Sequence, residues 1–468
     1  MTACGANKRK EGWLLFTGLT FICLFLPLTV MIYWALPARM RQRAFLIISI
    51  LFLLITDIRS AAGMGVLTAL TVTYGRMSGT LRKKRIQFLL WTALLTALYL
   101  LGFAFWSIYL YLELEQMQSF LRYCPFGAAF FVLQGLGYVA DVYTGKISGT
   151  EGRLRTAEYL LFYPRLVMGP VQSFERHMLM QQEAVMCSEN LGEGLGRFIR
   201  GLAKKALLAD TIGLVFSSLY GNAQRDTSLV MAWVTLLAFV LQLYFTVAGY
   251  ADMAKGIGLC FGFRLPDSYG YPIFSGSLAQ FGERWNMSVV KWCRSCFTPM
   301  LRPERWQCVL GTVCVWAILG CWYRPCVQML LWGIWMGFWI GLDQFVKTRF
   351  RKAPAAIEAV LFVLTTFSGW AVFSAPTLMD GLRSLTLLFG SSGSFIRESD
   401  LYFLQSGGLI LLIAFYSATG HFAKMMKYAA RRPVLSKGIG ILALPVQAVL
   451  LILCLAVLAT QNHAAVLL

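Results

Sequence analysis

The chain has few charged residues and very little acid. Only 14% of its 468 residues are charged, and 42 Lys and Arg stand against 22 Asp and Glu. A soluble globular domain carries about 25% charged residues. Histidine is scarcer still, with three residues in the whole chain, which limits the metal sites that imidazole could build. The composition therefore excludes an ordinary soluble domain and does not favour a metal centre.

Other absences bear on the organisation of the chain. It has no internal repeat, no long polar linker and no separate nucleic-acid-binding module. Its first apolar run, Trp13 to Leu36, is too long for a secretory signal peptide and lacks a small-x-small cleavage site. We therefore predict a single membrane domain over residues 1–468 that keeps this run as its first span.

Apolar residues make up most of the sequence. They make up 58% of the sequence, the mean hydropathy is +0.63, and the net charge is +20. Runs of about 20 apolar residues, the length of a helix that crosses a bilayer, recur along the chain. This pattern predicts an all-α polytopic membrane protein. We expect its partner to be the lipid bilayer and not nucleic acid, because the basic residues cluster in short loops between apolar runs.

Three of these basic clusters predict the orientation in the membrane. They lie at residues 39–43, 82–85 and 146–155, each separated from the next by two apolar runs. Basic loops favour the cytoplasmic side, so all three are placed inside and the N-terminus outside the cell membrane.

The stretch from residue 278 to 337 is the most informative. Its first part places Leu278, Phe281, Trp285 and Val289 on one side and charged residues on the other, which predicts a single amphipathic helix over about residues 278–300. Two apolar runs follow and are separated at Trp322 to Pro325. Because the residue before proline avoids helical geometry, this break predicts a turn near a membrane face.

Cys293 and Cys296 form the sequence's most obvious metal or redox candidate. One CxxC pair without a second pair or a nearby histidine is a weak metal signal. We interpret most of the twelve cysteines as small apolar residues and predict no metal site.

Six ordered motifs stand out along the chain. They are CPFGAAFFVLQGLGYVADVYTGK from Cys124, YLLFYPRLVMGP from Tyr159, GLAKKALLAD from Gly201, FTVAGYADMAKGIGLCFGFRLPDSYGYP from Phe245, RWNMS with GCWY and LLWG from Arg284, and GWAVFSAP from Gly369. Together they resemble the membrane-bound O-acyltransferases, in particular the branch of alginate O-acetylation and D-alanyl-lipoteichoic acid transfer proteins. The resemblance covers residues 13–390, and residues 401–468 are predicted to form two further spans, Leu401 to Phe422 and Gly438 to Ala459.

The sequence departs from the family pattern at three of these positions. Asn286 replaces the histidine of RWHxS, Tyr323 replaces the catalytic histidine of WHG, and Ser374 stands where arginine is usual. An unperturbed phenol, with a pKa of about 10, is almost wholly protonated at neutral pH and is therefore a poor general base. Tyr323 remains open to three interpretations: a base, a hydrogen-bonding group that orients the acceptor, or a packing aromatic residue.

The resemblance implies about eleven transmembrane helices, with re-entrant and amphipathic helices, around a central tunnel. It implies transfer of a small acyl group, such as acetyl, to a cell-envelope polysaccharide or related exported acceptor. The donor would be an acyl-CoA or acyl-carrier thioester used as a substrate, with no bound cofactor. An extracellular acyltransferase or a polysaccharide-assembly protein is the expected partner. The implied site residues are Tyr323 and Asn286 as catalytic groups, and Arg284, Trp285, Trp322 and Asp252 as substrate-binding groups.

Two alternatives stay open because the family histidines are missing. One is a catalytically silent relative that binds or passes acyl donor for a partner enzyme. The other is a transporter without acyl chemistry. Arg284 has an equally open role, since it could steer an anionic donor or pair with lipid headgroups. Asp252 and Asp141 lie beside apolar runs, where a carboxylate usually has a partner.

Overall fold

The computed structural model describes residues 16–114, 127–149, 152–223, 227–296, 306–323, 326–349, 354–375, 377–391 and 394–460. Every regular element in these ranges is a helix, as the apolar periodicity predicts. The described chain divides into two compact units. The first contains residues up to 200 together with 250–266, and the second contains residues 201–249 and 267–457. The prediction of a single domain is not tested by this division.

Nine helices begin in the first unit, and several of their bounds fall at Pro or Gly, such as Pro37, Gly127, Gly145 and Gly152. They are α1 (Leu26–Ala35, after a π-helical turn at Phe21–Phe25), α2 (Ala38–Thr56), α3 (Ile58–Lys83), α4 (Arg85–Leu114), α5 (Ala128–Thr144), α6 (Arg153–Leu161), α7 (Tyr163–Leu166), α8 (Phe174–Gln182) and α9 (Ser188–Ala203). The expected interruption at Pro164, Gly169 and Pro170 is confirmed, because α7 is a single turn and Met168 next to it has a φ of 55°.

The remaining helices belong mainly to the second unit. They are α10 (Asp210–Ala223, after a π-helical segment at Lys204–Ala209), α11 (Leu229–Cys260, which returns to the first unit), α12 (Leu278–Arg284), α13 (Met287–Cys296), α14 (Gln307–Tyr323), α15 (Val327–Arg349), α16 (Ala355–Ser374), α17 (Leu378–Leu388), α18 (Glu398–Ala418), α19 (His421–Ala430) and α20 (Pro433–Thr460).

Six helices in the described ranges are long and apolar enough to cross a membrane. They are Arg85–Phe105, Leu229–Cys260, Val327–Arg349, Ala355–Ser374, Asp400–Ala418 and Gly440–Thr460, with two shorter apolar helices at Phe21–Ala35 and Gln307–Tyr323. The polytopic all-α class is therefore confirmed, whereas the count of about eleven spans stays a prediction. The first terminal span ends at Ala418 and not at Phe422, because Gly420 adopts a left-handed φ of 74°.

The structure brings the three basic clusters of the first unit to one side. Arg82 donates to the carbonyl oxygens of Val142 and Ile147, which join the second cluster to the third. Gln42, within the first cluster, faces the Glu158 carboxyl that follows the third cluster. This common side is what the positive-inside pattern requires. Which side of the membrane it occupies stays a prediction, and the N-terminal tail lies outside the described residues.

Candidate functional site

The predicted amphipathic helix over residues 278–300 is wrong as a single helix. Helix α12 ends at Arg284, Trp285 is extended, and Asn286 has a φ of 41° before α13 begins at Met287. Asn tolerates this left-handed conformation better than most residues. The loop before α12 stabilises this break between the two helices through two backbone hydrogen bonds. The Gly270 amide donates to Arg284 O over 3.1 Å, and the Met287 amide donates to Ser268 O over 2.7 Å.

This break has a consequence for Asn286. A continuous helical wheel places it about 100° from Trp285, but no such wheel exists here because the helix stops between them. Both side chains are instead buried, with Trp285 0% and Asn286 4% exposed. They emerge from consecutive residues of one tight kink and reach the same neighbour.

That neighbour is the hydroxyl of Tyr323, the last residue of α14. Trp285 Nε1 donates to Tyr323 Oη over 3.2 Å, and Asn286 Nδ2 donates to the same oxygen over 3.2 Å. The Tyr269 hydroxyl also faces this oxygen. The structure therefore brings three of the predicted residues, Tyr323, Asn286 and Trp285, into one hydrogen-bonded group.

Close packing of α14 against α15 determines where Tyr323 lies. A Cβ at Gly320 would collide with the backbone of Met329, and one at Gly333 would collide with the backbone of Trp316. Small residues let two membrane helices approach closely. The break before α15 is as expected, with α14 ending at Tyr323 and α15 beginning at Val327. Arg324 and Pro325 themselves lie outside the described residues.

Aromatic rings enclose the hydrogen-bonded group. The Tyr323 ring meets the Phe373 ring edge-on at 5.8 Å and the Trp332 ring edge-on at 6.1 Å. Trp370 packs between these rings and the kink at Trp285. Its ring centroid lies 4.9 Å from that of Trp285 and 5.4 Å from that of Trp332. We call Trp285, Tyr323, Trp332, Trp370 and Phe373 the aromatic cage. Trp285, Trp332 and Trp370 are buried and Tyr323 is half-buried, so the hydrogen bonds to its oxygen form in a largely apolar setting, where they are stronger.

The other predicted site residues have different surroundings. Trp322 is buried beside Tyr323, with ring centroids 5.3 Å apart. Arg284 ends α12, and its guanidinium has no ion-pair partner among the described residues. Asp252 belongs to the first unit, where both Nε and a terminal nitrogen of Arg197 lie 3.0 Å from its Oδ1. A partner was expected for Asp252 and also for Asp141, which lies 3.7 Å from Lys146 Nζ.

The geometry limits what Tyr323 can do chemically. In its neutral form the phenol oxygen accepts from two N–H donors and keeps its own O–H, which it can donate to Tyr269 or to a bound molecule. To act as a base it would first have to lose that proton, and an unperturbed phenol with a pKa of about 10 is almost wholly protonated at neutral pH. His421, the other candidate base in this unit, is exposed and makes no contact with the cage among the described residues.

Several cage residues were not singled out from the sequence. Trp332 and Trp370 lie inside the LLWG and GW motifs, so these motifs could have identified them as site residues. The buried Trp332 indole N–H has no hydrogen-bond partner in the described part of the chain. Tyr269 falls at a variable position of the YGYP segment, and no pattern in the sequence pointed to it.

The first unit contains a second buried polar group that sequence reasoning missed. Arg165 and His177 are both fully buried, and Arg165 Nη2 lies 3.2 Å from His177 Nδ1. Burial and the adjacent guanidinium lower the pKa of His177 well below 6.5, so its ring is neutral. Burial raises the pKa of Glu158 to about 7 and lowers that of Arg165 to about 10.

No group of three or more His, Cys, Asp or Glu side chains that could hold a metal occurs in the ranges that the structure describes. Cys293 is buried in α13 and is not in a disulfide. Cys260, Cys308 and Cys454 are buried as well, in line with packing roles.

The fold and this site define a class of protein. It is an all-helical membrane protein with a polar group enclosed between apolar helices. Residues 146–375 match the model of the membrane-bound O-acyltransferase family. Over this stretch, which is just under half of the chain, the sequence is similar to that family.

Named relatives extend the comparison over most of the chain. The chain is 26% identical over 441 residues to a probable alginate O-acetylase, AlgI, of Azotobacter vinelandii, covering 89% of this chain and 88% of the relative. It is 25% identical over 303 residues to a peptidoglycan O-acetyltransferase of Helicobacter pylori, covering 58% and 57%. It is 21% identical over 269 residues to a teichoic acid D-alanyltransferase of Bacillus subtilis, covering 53% and 68%.

Proposed function

We propose that this protein transfers a small acyl group, acetyl or one of similar size, to a hydroxyl of an exported cell-envelope polymer. The names of three kinds of relative support the reaction class, since each acylates or is named for acylating an envelope polymer. In this reaction an acceptor oxygen attacks a thioester carbonyl, the C–S bond breaks, and the hydroxyl proton passes to the departing thiolate. The donor is a CoA or carrier-protein thioester that enters from the cytoplasm.

The observation that carries the proposal is the convergence of two N–H donors on one oxygen inside the aromatic cage. Donors that converge on a phenol oxygen polarise it, which makes its own O–H a stronger hydrogen-bond donor. In our proposal they hold the Tyr323 oxygen so that its O–H donates to the acyl carbonyl or positions the acceptor. Tyr323 acts as a hydrogen-bonding group and not as the base.

The same observation favours a second candidate function. A neutral phenol is a poor base, and the aromatic cage contains no His, Asp or Glu that could take that role. A relative that binds the acyl thioester without turning it over, and passes it to an extracellular acyltransferase, needs only the donors and the apolar walls. A transporter without acyl chemistry is the third candidate, since the cage also suits passive binding.

Purified protein in vesicles separates these candidates. A radiolabelled acetyl thioester is supplied on the side of the basic clusters, and an envelope polysaccharide is supplied on the other side. Labelled polysaccharide supports the proposed enzyme. Saturable thioester binding without product supports the silent relative, and label that accumulates across the membrane unchanged supports a transporter.

A further inference from the structure

A group of ion-paired side chains joins three helices of the second unit. Asp343 and Lys347 lie one turn apart near the end of α15, and Lys347 Nζ is 3.0 Å from Asp343 Oδ2. The same nitrogen is 3.0 Å from Glu358 Oε2, in the first turn of α16. Asp343 Oδ2 also accepts from the Ala279 amide, at the start of α12, over 2.8 Å. We call Asp343, Lys347 and Glu358 the ionic triad.

The ionic triad is largely shielded from solvent, since its side chains are between 17% and 21% exposed. Helix α15 is one of the helices that are apolar enough to cross a membrane. A carboxylate in such a helix is costly unless it is paired. A charged acceptor also bonds a backbone N–H more strongly than a neutral one, and it is favoured at the N-terminal end of a helix. Asp343 therefore holds the start of α12 more firmly than an exposed ion pair would.

The contact between α12 and α15 has a defined register. Ala279 lies against Asp343, and three residues further along α12 a Cβ on Gly282 would come within 2.8 Å of Ile340 Cγ2. Residue numbers rise along α12 as they fall along α15, so the two helices run antiparallel. Gly282 lets α12 lie close to α15, and the bond to Asp343 prevents α12 from sliding along it. A slip of one turn would displace α12 by about 5.4 Å.

The same three helices carry the aromatic cage at their other ends. Trp285 directly follows α12, Trp332 belongs to α15, and Trp370 belongs to α16. At about 1.5 Å per residue, Asp343 lies about 16 Å along α15 from Trp332. The two hydrogen bonds to Tyr323 are already 3.2 Å long, so a displacement of α12 by about 1 Å is enough to break them. The site therefore depends on the register that the far end of α12 imposes.

We propose that Asp343 is a positioning residue: through the ionic triad it fixes the register of α12 on α15 and so brings the kink after α12 to the Tyr323 hydroxyl. Asp343 acts on the site only through α12, so it is not itself a catalytic residue. The inference rests on the proposed function for its effect on acyl transfer, whereas the positioning of the kink is measured without turnover.

A double-mutant cycle tests this positioning. The full chain is unfolded in denaturing detergent, and the loss of stability caused by Tyr323→Phe is measured in wild type and in Asp343→Ala. If Asp343 holds the kink against Tyr323, its removal already breaks the hydrogen bonds, so the loss should fall to less than about half of the wild-type value. Substitutions more than about 10 Å apart that share no partner are otherwise additive.

Two conservative variants separate the geometry of Asp343 from its charge. Asp343→Asn loses the charge but keeps an oxygen for the Ala279 amide, so Tyr323→Phe should cause most of the wild-type loss in this background. Asp343→Glu keeps the charge but moves the acceptor oxygen by one methylene group, which displaces α12, so the loss should be reduced. If Asp343→Ala does not fold, Asp343→Glu decides the question.

Asp57→Ala is the matched control. Asp57 also accepts from a backbone amide at the start of a helix, that of Arg59 in α3 over 3.0 Å, but it belongs to the first unit. Tyr323→Phe should cause its full loss in this background. A full loss in Asp343→Ala or Asp343→Glu contradicts the inference, and so does a loss that Asp57→Ala reduces equally.

Turnover supplies the second readout. If wild type transfers acyl groups, Asp343→Ala should lower kcat by about 10-fold or more and leave KM for the thioester unchanged, because a small misplacement affects the reacting geometry more than binding. An unchanged kcat would contradict the positioning role. A protein that shows the expected cycle but no acyl transfer means that the proposed function failed and the positioning did not.

Discussion

Replacing Tyr323 with Phe tests the two hydrogen bonds that its hydroxyl accepts from Trp285 and Asn286. The ring keeps its contacts with Trp332 and Phe373, and only the oxygen that accepts from Trp285 and Asn286 is lost. Trp285 is fully buried and Asn286 nearly so, so their N–H groups lose a partner inside the protein. Leaving a buried donor unsatisfied costs about 1–3 kcal/mol. The Asn286 amide can turn toward Tyr269, so we expect a loss of about 2 kcal/mol in the free energy of unfolding.

The measurement is unfolding by denaturing detergent, followed by tryptophan fluorescence, for Tyr323→Phe, Asn286→Ala and the double variant. If the two side chains interact as the structure indicates, the double variant should be more stable than additivity predicts by about 1 kcal/mol. Tyr74→Phe is the matched control, since it also removes a buried hydroxyl. Its partner Thr92 keeps a second hydrogen bond to Phe88 O, so the loss should be about 1 kcal/mol or less.

Two results would refute the reasoning. The first is a Tyr323→Phe variant that loses no more stability than Tyr74→Phe. The second is strict additivity between Tyr323→Phe and Asn286→Ala, which would mean that the amide does not bond to the phenol oxygen.

Three further predictions follow from the site and the first unit. Tyr323→His places an imidazole, with an ordinary pKa of about 6.5, at the position of the family histidine. Positioned acid–base groups raise reaction rates about 100- to 10,000-fold, so acyl transfer by this variant should exceed that of Tyr323→Phe by about 100-fold. An inert His variant with unchanged thioester affinity would contradict this. The pKa of Glu158 is raised by burial from 4.5 to about 7 in the folded protein, so the folded state holds the proton more tightly. The contribution of Glu158 to stability is then greatest below pH 4.5 and falls as the pH rises to about 7, by roughly 3 kcal/mol at 1.36 kcal/mol per pH unit. Glu158→Gln should flatten this decline in unfolding titrations at several pH values, whereas Glu193→Gln, at an exposed position of α9, should not. Single cysteines at Gln42 and Lys84, in a background without native cysteines, should resist an impermeant thiol reagent outside the cell, whereas one at Gln116, which lies outside the described residues, should react. Rapid labelling of the first two would reverse the topology.

Much of this protein follows from local properties of the sequence. Long apolar runs can satisfy their backbone polar groups in a membrane only as helices, so the all-α polytopic class is determined by composition alone. The break between α14 and α15 and the interruption at Pro164 are local as well, because proline and glycine act on their own backbone. The short motifs sufficed to place Tyr323, Asn286 and Trp285 in one site.

Tertiary contacts decided the rest. The periodicity of residues 278–300 is that of one helix, yet the chain kinks at Asn286 because hydrogen bonds from Gly270 and to Ser268 take over the backbone groups there. That kink, and not a helical wheel, turns Trp285 and Asn286 toward Tyr323. Tyr269 joins them from a loop that no sequence pattern connects to the site. Neither the hydrogen bonds to the Tyr323 oxygen nor the one from Ala279 to Asp343 could be predicted, because each joins helices far apart in sequence that meet only when the membrane domain has folded.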